Sequence, residues 1–215
     1  MEVVATIAAT MGVAWASGIN LYAALFVLGW MGTTGSIDLP PGLEIVQHPG
    51  VMGAAALMYC VEFFADKVPG IDTGWDLAHS FIRIPAGAML AAAAISPLVP
   101  EAELVGLILG GTLAAGSHFT KAGTRVIVHA SPEPFSNWTL SVGEDLLVIA
   151  GLWTALYHPV LFLILLGIGI AVVIWLAPKI WRGVKCVFAQ LRQWFTATKT
   201  PTPAADSHLA KLDDC

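Results

Sequence analysis

The chain has 215 residues, 57% of them hydrophobic and only 12% charged, with a mean hydropathy of +0.76. Nearly all of it is expected in a membrane, which excludes a separate soluble domain. The net charge of −5 says less than where the charges stand, and Cys60, Cys186 and Cys215, with no CxxC or metal-type spacing, read as unpaired thiols.

A span needs roughly 20 predominantly apolar residues, and about six segments meet that rule. The first, Val3 to Met31, is interrupted by Ser17-Gly18-Ile19-Asn20. Two readings apply: a notch of small residues that lets another helix approach, or a real break of the kind that marks transporter sites. The N-terminus has no basic n-region and its apolar run continues past Trp30, so no cleaved signal peptide is expected.

The second segment runs from Pro49 to about Asp66 and is stopped by Pro69-Gly70. Glu62 and Asp66 are four apart, so a helix points both carboxylates to one face. Lys67 at its end is free to snorkel. Asp72-Thr73-Gly74 opens the third segment with a capping residue, and Asp76, His79 and Arg83 follow at helical spacing as a polar stripe. Pro85 is expected to kink that helix, and the run from Ala86 to Ile95 is small enough for close packing.

The fourth segment, Leu104 to His129, starts Gly-rich and ends polar, with Lys121 and Arg125 four apart. The fifth, Phe135 to Tyr157, carries Glu144-Asp145 inside an apolar span, and the sixth, Val160 to Ala177, has no charge and is expected to face lipid. After Pro178, residues 179–199 combine an apolar stripe with Lys179, Arg182, Lys185 and Arg192, the pattern of an amphipathic helix on anionic lipid. The tail 200–215 is expected to be disordered.

Six of the ten Lys and Arg follow the sixth span, which puts the C-terminus on the cytoplasmic side and, with an even span count, the N-terminus too. Segments one to three also correspond weakly to four to six, as repeats 3–97 and 104–178 of a 1–178 transmembrane domain. Ser17 to Asn20 matches Ser117 to Thr120, Glu62 matches Glu144, and Pro97 matches Pro178. A three-span repeat must be inverted in the membrane, an architecture of secondary transporters.

The motif Ser17-Gly18-Ile19-Asn20-Leu21-Tyr22, and more specifically Glu62-Phe63-Phe64-Ala65-Asp66-Lys67-Val68-Pro69 with Asp72, Asp76 and Arg83-Ile84-Pro85, resembles a bacterial multi-pass membrane family, domain of unknown function 4126. The resemblance would cover about residues 3–178. It implies a place in the bacterial inner membrane and no particular activity.

The expected fold is thus all-α, with about six transmembrane helices and a C-terminal interfacial helix. Intramembrane charges usually face a protein interior, a cavity or one another. The candidate substrate- or ion-binding residues are Asn20, Glu62, Asp66, Asp72, Asp76, Arg83, Ser117, His118, Lys121, Arg125, Glu144 and Asp145. The leading expectation is a small transporter or carrier that binds a proton, Na⁺ or another cation beside an unknown small-molecule, ion or lipid substrate. Glu62 and Glu144 would then meet across a polar cavity. Against it stands an ion-pair network that merely holds helices together.

A second class is an enzyme acting on lipid head groups, with Asp66, Asp72, Asp76 and His79 holding Mg²⁺; a third is an accessory subunit. No catalytic residue and no metal site is assigned. Membrane lipids are the expected partners, no nucleic acid is, and homo-oligomerisation stays open.

Overall fold

The computed structural model describes residues 2–68, 71–129 and 134–197, and has no strand among them. Six α-helices follow in order: α1 Glu2–Thr33, α2 Pro49–Ala65, α3 Ile71–Ile95, α4 Glu103–His129, α5 Pro134–Tyr157 and α6 Pro159–Ala197. Five contain stretches long and apolar enough to cross a membrane; α2, with 17 residues, does not reach that length. At 1.5 Å per residue α2 extends about 25 Å, short of a ~30 Å hydrocarbon core. The chain is a multi-pass membrane protein.

The first helix is the axis of the bundle. It touches each of the other five, and 67% of its most apolar stretch is buried, against 11% for α6. Ala8, Val13, Ala14, Ala16, Ala24 and Leu28 are enclosed, because small side chains let neighbours close on every face. Gly18 is the tightest point: a Cβ there would run into the Ala114 carbonyl and the Ser117 hydroxyl of α4. Exposed Ile164, Leu165, Ile168, Ile174 and Trp175 give α6 the lipid-facing character its composition predicts.

Helix α1 ends in a Schellman motif. Gly35 takes φ +68, Ser36 N–H donates to the Met31 carbonyl at 3.0 Å and Gly35 N–H to that of Gly32 at 3.1 Å. The connection to α2 then folds back, and a 3-10 turn, Pro41–Gln47, buries Leu43 and Val46 against α1 and α3. His48 caps α2 by accepting from Gly50 N–H at 3.1 Å, with Pro49 at the first helical position.

Helices α3 and α4 make the most extensive pairing in the bundle. Gly106 and Gly110 of α4 sit against Ala91 of α3 so closely that a Cβ at either would crowd it. Pro85 lies within α3, which continues as one helix through it.

Three expectations need adjustment. Ser17 to Asn20 is both notch and break: Gly18 packs on α4, and Asn20 leaves the helix at φ −147, ψ 95. The matching stretch Ser117 to Thr120 does not break α4, whose Ser117 and Thr120 hydroxyls donate back to the Ala114 and Gly116 carbonyls. Residues 179–197 are helical but continuous with α6 through Pro178, and Lys179 and Lys185 lie over the rings of Trp175 and Trp181. Residues 200–215 lie outside the described residues.

Candidate functional site

The break in α1 begins the site. In a regular helix Ala23 N–H would donate to the Ile19 carbonyl; here it donates to Asn20 Oδ1 at 2.9 Å. The Ile19 carbonyl instead accepts from Lys121 Nζ of α4, at 2.9 Å. Asn20 Nδ2 in turn donates to Asp145 Oδ1 of α5, at 2.9 Å. One extended residue thus ties α1 to two further helices through groups a straight helix would not offer.

Lys121 Nζ is the hub. It lies 3.4 Å from Glu62 Oε1, 3.5 Å from Asp66 Oδ2, and 3.6 Å from both Asp76 Oδ1 and Glu144 Oε2. Four carboxylates from α2, α3 and α5 therefore share one ammonium. Two guanidiniums flank it. Arg83 bonds Glu62 at 2.5 Å and Asp76 at 2.8 Å, while Arg125 bonds Glu144 at 2.6 Å and Asp66 at 2.7 Å.

The cluster is out of water. Glu62 and Arg83 have no exposed surface, and Glu144, the most open of these carboxylates, has a side chain 11% exposed. Ionised groups so placed must be neutralised close by, because desolvation costs several kcal/mol per ion. Among the described residues five carboxylates face three cations, an excess of two negative charges. Glu62 Oε2 and Arg83 Nε are enclosed without a hydrogen-bond partner.

Glu62 and Glu144 meet as expected from their positions, but on Lys121 rather than across a polar cavity. A cavity of about 360 Å³ lies instead between α1 and α2, lined by Tyr22, Leu25, Ala55 and Met58 with His48. Ser117 is outside the charge cluster and braces α1, donating to the Trp15 carbonyl at 2.9 Å. His118 is buried, with Nε2 2.6 Å from Ser80 Oγ. Asp72 lies in the first turn of α3, and its side chain is outside the described set.

Sequence reading missed Ser80 and the Ile19 carbonyl. Ser80 is four residues after Asp76 and lies on the stripe already picked out, a signal that was available; a carbonyl freed by a neighbouring side chain leaves none. His79 stacks on Trp75 at 4.1 Å and meets Tyr22 edge-on at 5.9 Å, so it packs beside the cluster. Lys67 Nζ sits 3.0 Å from the centroid of the Phe63 ring and donates to the Phe63 carbonyl. Burial holds its ammonium below the usual lysine range, against the pull of Asp145 and Asp66.

No group of three or more His, Cys, Asp or Glu among the described residues is arranged to hold a metal ion. Asp66 and Asp76, considered as Mg²⁺ ligands, are engaged by Arg125, Arg83 and Lys121.

No curated protein and no solved structure matches the chain. One family model does, over residues 7–179, which run from the second turn of α1 to the middle of α6 and include the complete charge cluster. The chain belongs to the family described as domain of unknown function 4126.

Proposed function

We propose that the protein is a small membrane carrier whose enclosed carboxylates bind a proton or a cation together with a small substrate. The observation carrying this reading is the charge imbalance: among the described residues five enclosed or nearly enclosed carboxylates converge on three cations at ion-pair distance, with Lys67 further out, beside a broken helix. A purely structural network would be expected to balance its charges, since each unneutralised ion in a membrane interior is costly. An exchangeable proton or cation restores the balance and couples it to occupancy.

The full pairing of Arg83, Lys121 and Arg125 also favours a second reading, a network that only fastens α2, α3, α4 and α5. Reconstituted protein on a solid-supported membrane separates the two. Stepwise exposure to protons, Na⁺ and a panel of small amines and organic acids should give a capacitive current with at least one class. Glu62→Gln should remove that current while the folded protein is still recovered. Silence with every class, together with a Glu62→Gln variant altered only in stability, would favour the fastening network.

The reading takes the 17-residue α2 as a sixth crossing and on that count puts the chain in the bacterial inner membrane with both termini cytoplasmic, supported by the basic residues after Ala177 and by Lys67 and Arg125 at helix ends. Single cysteines at Thr34 and Glu101, introduced after replacing the native ones, should react with an impermeant maleimide from outside. Reaction of either from the cytoplasmic side alone would reverse or break the topology. Glu62 and Glu144 meeting on Lys121 supports an inverted repeat; the unbroken α4 speaks against it.

A further inference from the structure

We infer that Asp145, held by Asn20 at the break in α1, is the carboxylate that takes up and releases the proton. This inference rests on the carrier reading above and names the group within the site. The ion pairs that Arg83, Lys121 and Arg125 make among the described residues are with Glu62, Asp66, Asp76 and Glu144. Among the described residues Asp145 has no cation at ion-pair distance, and its side-chain partners are neutral, the Asn20 amide and the Tyr59 hydroxyl. Its charge is therefore one that no ion pair among the described residues cancels, with the Lys121 and Lys67 ammoniums acting on it from further off.

The surroundings of Asp145 fit an exchanging group. From α1 it meets Asn20, and from α4 it feels Lys121. From α2, Glu62 and Asp66 add negative potential, while the Tyr59 hydroxyl and the Lys67 ammonium are within its electrostatic reach. Glu144 is its neighbour on α5, and α6 has no titratable side chain between Pro159 and Ala177.

Protonation removes one of the two excess negative charges; release restores it. Asp145 is 7% exposed, more open than Glu62, Asp66 and Asp76, while the more open Glu144 is held by Arg125 and Lys121. The coupling element is Asn20 itself. Its amide donates to the ionised carboxylate and its carbonyl oxygen holds Ala23 N–H, so the charge on Asp145 acts directly on the geometry of the break.

Infrared titration of the full-length protein in nanodiscs tests this, reading the stretch of a protonated carboxyl against pH. The wild type should show a titrating band that Asp145→Asn lacks. Asp145→Asn breaks no ion pair, and an unchanged elution volume would verify that it folds. Asn20→Ala should keep the band and move its midpoint upward by about one pH unit, a tenfold change, because a donor to the charged form is gone. A band that persists in Asp145→Asn, or is unmoved in Asn20→Ala, overturns the assignment and leaves the carrier reading standing. The absence of any titrating band in the wild type overturns the assignment and, with it, proton coupling.

Discussion

Lys121→Met is expected to be among the most damaging substitutions in the chain, costing about 3–5 kcal/mol of stability as a broken buried ion pair does. The ammonium is shared by Glu62, Asp66, Asp76 and Glu144, and its loss leaves the same five carboxylates with two guanidiniums. It also leaves the Ile19 carbonyl at the helix break without its donor. Thermal unfolding in detergent, followed by size-exclusion recovery, measures the effect. Adding Glu62→Gln to Lys121→Met should regain part of the loss, since one unpaired negative charge goes with it. A Lys121→Met protein that unfolds at the wild-type temperature would show that the hub carries no such weight.

Arg83 should behave differently in one respect. Arg83→Leu is expected to cost a similar 3–5 kcal/mol, because Glu62 and Asp76 each lose a close partner. Arg83→Lys, which keeps the charge, should recover little of it. A guanidinium presents separate N–H groups to two carboxylates in a fixed plane, whereas a single ammonium must choose or compromise. The same unfolding assay on both variants decides: equal recovery by Lys would mean that charge alone matters at this position. In that outcome the network would be looser than its geometry indicates.

Much of the arrangement was legible along the chain. Glu62 with Asp66, and Lys121 with Arg125, stand four apart, which in a helix means one face. Charges in apolar spans must seek one another, so their meeting was a strong inference. Which partner each would find was not legible. Glu62 and Lys121 are 59 residues apart, and the distances that make Lys121 the hub depend on where α3 and α4 settle against α1. The place of Ser117 was not legible either: its hydroxyl lies outside the charge cluster and donates to the Trp15 carbonyl of α1, a contact set by how α4 packs on α1.

By itself the sequence determined the all-α membrane class, the lipid-facing sixth span and the set of charges that had to be gathered. These follow from hydropathy and helical period, which are local properties. Only the tertiary structure decided that α1 is the axis, since burial on every side depends on its neighbours. It also decided that the break at Asn20 is real while Ser117 to Thr120 stays helical. A backbone leaves the helix where other groups replace the lost hydrogen bonds. Lys121 does so at Ile19, and Asn20 is steadied by Asp145, from helices more than 100 residues away.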